Sequence, residues 1–101
     1  MKYRIDMAPA AKEELLIYVK GGIEFGDDIP EKILDAFDMV INMLEENPLA
    51  GMSDLPYLPK KYRAAHLWKH YRLIYQIYET ENCVKIDYVI DDRQNYVRFI
   101  R

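Results

Sequence analysis

Ile33, Phe37, Val40, Ile41 and Leu44 recur at i, i+4, i+7, i+8 and i+11, which places all five on one face of an α-helix. That stripe must be covered, so the rest of the chain has to supply an apolar surface against it. Asp27, Asp28 and Pro30 precede the stripe and Asn47-Pro48 follows it. Acids suit the positive end of the helix dipole, proline suits the first turn, and Asn-Pro stops the helix. An earlier helix is predicted from Pro9 to about Ile23, burying Ala11, Leu15, Tyr18, Val19 and Ile23. Gly21-Gly22 bend or end it, and Gly26 closes the region. Joined by so short a turn, the two helices form an antiparallel hairpin.

Strands supply the covering surface. Tyr3, Ile5 and Met7 alternate with Lys2, Arg4 and Asp6, the period of a strand with one buried face. Residues 47 to about 61 hold Pro48, Gly51, Pro56 and Pro59 and form a loop or extended connection. Three strands are predicted after it, at about Tyr62–Trp68, Tyr71–Tyr78 and Cys83–Ile90, with Glu79-Thr80-Glu81-Asn82 as a polar turn. Val84, Ile86, Tyr88 and Ile90 are predicted to face the core, with Lys85 and Asp87 facing away. The tail from Asp91 to Arg101 is expected as a short helix or a final edge segment. The prediction is a single α+β domain over residues 1–101. It has an N-terminal strand, an antiparallel helical hairpin and a three-stranded antiparallel meander, with the helices packed on one sheet face.

Composition narrows the function classes. Half of the 101 residues are hydrophobic and 13% are aromatic, enough apolar surface to offset the entropy of ordering. No run approaches the ~20 apolar residues of a membrane span, so no membrane is expected. The N-terminus lacks the apolar core of a signal peptide. Cys83 is the single cysteine, so an internal disulfide is excluded, and a reducing, cytoplasmic compartment is the expectation. The net charge of −3 conceals −6 over residues 1–51 and +3 over residues 52–101. A basic patch confined to the second half is therefore the feature to pursue.

No phosphate-binding glycine loop, dinucleotide fingerprint, zinc-protease motif or calcium loop occurs. His66 and His70 are four apart, but the region reads as strand, turn and strand without a third ligand, so neither metal nor cofactor is expected. The lone Ser53 lacks a nucleophile-elbow context. What stands out is the cationic and aromatic density of Lys60, Lys61, Tyr62, Arg63, His66, Trp68, Lys69, His70, Tyr71, Arg72 and Tyr75, followed by Arg93, Tyr96, Arg98 and Arg101. On the strand 71–78, Arg72, Ile74, Gln76 and Tyr78 share the face opposite Leu73, Tyr75 and Ile77. An open face of this kind offers guanidinium forks for phosphate, rings for stacking and titratable groups for proton transfer. Taken singly, each residue also fits a solvated strand face, and Trp68 fits core or partner packing.

The order of elements resembles the RelE/ParE superfamily of bacterial type II toxins. Tyr3-Arg4-Ile5-Asp6-Met7-Ala8-Pro9-Ala10-Ala11 is similar to that family's first strand leading into an Ala-Pro-x-Ala helix start. Tyr62-Arg63 and Tyr71-Arg72-Leu73-Ile74-Tyr75 resemble its paired strands, and Arg93-Gln94-Asn95-Tyr96 its C-terminal ending. The resemblance implies a toxin of a plasmid-stabilisation pair, neutralised by a small acidic antitoxin bound with nanomolar or tighter affinity. Lys60, Lys61, Arg63 and Trp68 are the expected antitoxin surface. It implies one of two targets. Ribosome-dependent mRNA endonucleases attack the adjacent phosphate with a ribose 2′-hydroxyl; DNA gyrase poisons carry no nuclease chemistry. Under the nuclease reading, which the sequence places slightly ahead, Arg72 would stabilise the transition-state charge and Arg93 would clamp phosphate. Tyr96, His66 or His70 would transfer protons, and Lys60, Lys61, Arg63 and Lys69 would hold RNA. Asp91-Asp92 depart from the pattern, and would repel phosphate unless paired with Arg93 or Arg98. They, with the acidic first half, also leave open the gyrase branch and a non-toxic binding module.

Overall fold

Residues 2–56 and 58–93 are described by the computed structural model. Strand β1 (Arg4–Met7) leads directly into helix α1 (Pro9–Gly21), whose Pro9 occupies the first turn. A 3-10 turn (Gly22–Phe25) joins it to helix α2 (Ile29–Glu46). Strands β2 (Arg63–Trp68), β3 (Tyr71–Tyr78) and β4 (Cys83–Asp91) follow. The sheet order is β1-β4-β3-β2, with β1 parallel to β4 and the other pairings antiparallel. This is the predicted α+β architecture, with the N-terminal strand added beside the last one.

Both helices pack on one face of the sheet. Ile33 and Leu44 are fully buried, while Phe37, Val40 and Ile41 flank them. Ala11, Leu15 and Val19 carry the inner side of α1 and Tyr18 packs beside them, whereas Ile23 is 60% exposed, against expectation. The reason is local: α1 ends at Gly21, and the 3-10 turn changes the residue rotation so that Gly22, not Ile23, faces inward. A Cβ at Gly22 would stand 3.0 Å from Ile29 and 3.3 Å from Ile33, so the helices cross closely because glycine is there.

The sheet's other face is not open along its length. Leu58, Tyr62, Ala64, Ile74 and Ile90 form a second buried cluster, with Leu55 and Tyr88 against it. The loop after α2 supplies the cover and pairs with β2 through a Met52–Ala64 bridge. The predicted facing of β4 is corrected accordingly. Val84 and Ile86 face the helices, but Tyr88 and Ile90 face the loop, and Val89 takes over the helix side. The switch is a β-bulge: Tyr75 pairs with Ile86 and Ile74 with Tyr88, leaving Asp87 as the extra residue.

Two polar contacts hold this arrangement. β1 pairs with Cys83–Ile86, so beyond the bulge no strand among the described residues lies beside that edge of β4. Glu14 of α1 fills the gap by accepting the Val89 N–H on Oε1 at 3.1 Å. Burial raises the Glu14 pKa, and the hydrogen bond works the other way. On the far side, the fully buried Tyr75 donates its hydroxyl to the Pro48 carbonyl at 2.5 Å, tying the loop to the sheet.

Tyr75→Phe leaves a buried carbonyl without its donor and is expected to destabilise the fold by about 1–3 kcal/mol in urea unfolding. Gly51→Ala is expected to cost at least as much, because its Cβ would overlap the Tyr75 hydroxyl. Wild-type midpoints in both variants would remove this contact from the account.

Candidate functional site

The predicted cationic residues fall into separate groups. Arg72 and His66 are direct cross-strand partners on the loop side of the sheet. Arg72 donates from Nε to Asp92 at 2.9 Å and reaches the Met52 sulfur at 3.5 Å. Its side chain is only partly exposed, as is that of Asp92. The exposed His66 donates from Nε2 to the Lys69 carbonyl at 2.7 Å, which leaves Nδ1 as the ring's acceptor.

His70 and Arg93 lie around Asp91, whose β3 partner Tyr71 belongs to the helix-side core. Asp91 is 5% exposed. It accepts two bonds from the Arg93 guanidinium, at 3.1 and 2.8 Å, and one from the Arg93 backbone at 3.0 Å. His70 Nε2 stands 3.6 Å from the same carboxylate, beyond hydrogen-bond reach. The Arg93 guanidinium holds the Asp91 carboxyl below the usual carboxylate range in spite of its burial. Each carboxylate is thus paired with an arginine, Asp91 with the expected Arg93 but Asp92 with Arg72, which was not among its expected partners.

Between this cluster and the 3-10 turn opens a cavity of about 320 Å³, apolar at Phe25, Ile29, Trp68 and Tyr71 and cationic at Lys69 and Arg93. Tyr71 anchors its aromatic wall. Tyr18 stacks on it at 4.4 Å between centroids, Trp68 lies at 6.3 Å and His70 meets it edge-on at 4.6 Å. Lys69 Nζ sits 5.4 Å above the Trp68 ring, presented by a left-handed backbone (φ 54°) at the hairpin tip.

Lys60 and Lys61 are elsewhere. They line a surface groove with Arg63, Ile77, Tyr78 and Glu79, at the end of β3 opposite Arg72, roughly 20 Å away along the strand. Arg63 is turned into the structure: its guanidinium donates to the carbonyls of Leu49 at 3.0 Å and Gly51 at 3.1 Å. Trp68 closes the other end of β2 from Arg63. Of the expected antitoxin surface, Lys60, Lys61 and Arg63 therefore share one groove, and Trp68 lies apart from it. Tyr96, Arg98 and Arg101 lie outside the described residues. Among the described residues no cluster of three His, Cys, Asp or Glu is placed to hold a metal, and no helix is long and apolar enough to cross a membrane.

Sequence reasoning missed Glu14. Its signal was position: it lies three residues after Ala11 and four before Tyr18, on the side of α1 that the apolar residues mark as inward. A carboxylate there needs a buried donor.

The family model described as "ParE toxin of type II toxin-antitoxin system, parDE" matches residues 5–96. The fold is shared with the toxin–antitoxin complex RelBE2 from Mycobacterium tuberculosis, at 22% identity and a TM-score of 0.65, covering 90% of this chain and 92% of that one. It is also shared with YoeB from Staphylococcus aureus, solved as a dimer, at 18% identity and a TM-score of 0.60, covering 87% and 94%. No curated protein matches the sequence.

Because Asp91 has a depressed pKa in the folded state, its contribution to stability is present above the unfolded value and is lost as pH falls through the folded one. Arg93→Ala removes the cation that opposes desolvation. The acid limb of the stability profile is then expected to begin at higher pH than in the wild type, read by thermal melts between about pH 2 and 7. Superimposable profiles would contradict the pairing.

Proposed function

The chain belongs to the ParE toxin family of type II toxin–antitoxin systems, and we propose that its target is DNA gyrase, which it poisons through protein contacts without nuclease chemistry. The observation that carries this reading is the pairing of Arg72 with Asp92 and of Arg93 with Asp91. Attack by a 2′-hydroxyl builds negative charge on the phosphorane, and a cation must be free to receive it. Here each arginine already faces a carboxylate that offsets its charge, so neither is free to receive the incoming phosphate. The candidate groups also divide between two sides of the sheet end, with Lys60 and Lys61 a strand length away. Docking on a protein asks for none of that convergence. The neutralising partner is a small acidic antitoxin, in keeping with the family and with the separate cationic surfaces at Lys69 and at Lys60-Lys61.

One arrangement favours a second reading, a ribosome-dependent mRNA endonuclease. His66 is opposite Arg72 and its Nδ1 is available as a base, so opening of the Arg72–Asp92 pair on the ribosome would leave a base beside a cation.

The test is a paired assay on the purified chain without its antitoxin. Gyrase supercoiling with trapping of cleavage complexes forms one arm, and mRNA integrity in a translating extract forms the other. The proposal expects trapped gyrase complexes, intact mRNA and no loss of either result in Arg72→Ala. Ribosome-dependent cuts that vanish in Arg72→Ala would establish the second reading instead. Silence in both arms, with no growth effect on overexpression, would leave a non-toxic binding module.

A further inference from the structure

Helix α1 is apolar on two sides. Ala11, Leu15 and Val19 enter the core, while Leu16 and Ile17 stand out at 51% and 66% exposure. These two sit in a shallow depression whose remaining walls are Glu13 and Lys20. At 100° per residue all four lie on one narrow face. Neither Glu13 nor Lys20 forms an ion pair with any described residue.

The order along that face is symmetric in position and antisymmetric in charge. Glu13 precedes the midpoint between Leu16 and Ile17 by the same distance that Lys20 follows it. A two-fold axis through this midpoint sets Glu13 of each copy against Lys20 of the other, with Leu16 and Ile17 meeting in the centre. We propose that this face of α1 is an isologous contact between two copies of this chain, with the helices antiparallel. A uniformly acidic partner would meet Glu13 and a uniformly basic one Lys20, whereas a second copy satisfies both. The contact uses none of the residues at the arginine–carboxylate end of the sheet, so it stands apart from the choice of target.

One helix face is smaller than a standard interface of about 800 Å² per partner, so a weak, concentration-dependent dimer is expected. The test is sedimentation equilibrium of the purified full chain between about 1 and 200 µM. Wild type is expected to shift from monomer to dimer across that range. Glu13→Lys and Lys20→Glu each turn two attractions into two repulsions and are expected to weaken the dimer about tenfold. The double variant Glu13→Lys/Lys20→Glu restores complementarity and is expected to recover the wild-type constant. Circular dichroism checks that each variant keeps its helices. A chain that stays monomeric throughout, single variants that dimerise like wild type, or a double variant as weak as the singles would each overturn the proposal.

Discussion

The hydrogen bond from the Val89 N–H to the Glu14 carboxylate holds together the part of the molecule where everything else is decided. β1 stops short of the second half of β4, and no other strand among the described residues takes its place, so that edge would otherwise leave the Val89 donor without a partner against α1. Glu14 completes the edge from the helix. In doing so it stabilises β4 just past the bulge at Asp87, where the strand exchanges its inner and outer faces. A strand without the extra residue would send Asp91 outward beside Arg72 and Asp92 inward beside His70. The observed strand does the opposite, which gives each carboxylate a different arginine and each side of the sheet end its own ion pair.

This distribution shapes what the surface can do. A phosphate-handling site wants several cations aimed at one point and no carboxylate among them. The end of this sheet instead carries two locally neutral pairs and an apolar cavity with an aromatic wall. Lys69 at the hairpin tip and Lys60 and Lys61 at the opposite end are separated by the length of β3. Such a surface suits recognition of folded proteins, where shape and dispersed charge select the partner. The family relationship makes an antitoxin one such partner, and the dispersion of charge is the physical argument for a protein target as well.

Much of the fold could be read from periodicity. The α2 stripe is an arrangement only one helix face can satisfy, and Ile33 and Leu44 are the most buried residues on it. The β4 facing could not be read the same way. Val84, Ile86, Tyr88 and Ile90 alternate without a break, and the bulge leaves no gap because both faces of the sheet are covered there. The run Tyr88-Val89-Ile90 was the available signal, since three successive apolar residues fit a strand buried on both sides better than one half exposed. The cover itself comes from Leu55, Leu58 and Tyr62 in a proline-rich loop whose apolar residues have no period. The candidate site was legible as a list of residues but not as a place. Arg72 was correctly turned away from the helices, yet the pairing that neutralises it depends on the bulge, and the inward turn of Arg63 depends on carbonyls that no side-chain pattern reveals.

Amide hydrogen exchange at Val89 tests the central claim most directly. In the wild type this amide is expected to be protected like its neighbours in β4, and Glu14→Ala is expected to abolish that protection while Val84 and Ile86, on the strand-paired side of the bulge, keep theirs. A Val89 amide that exchanges freely in the wild type, or one that stays protected without the Glu14 carboxylate, would contradict the account.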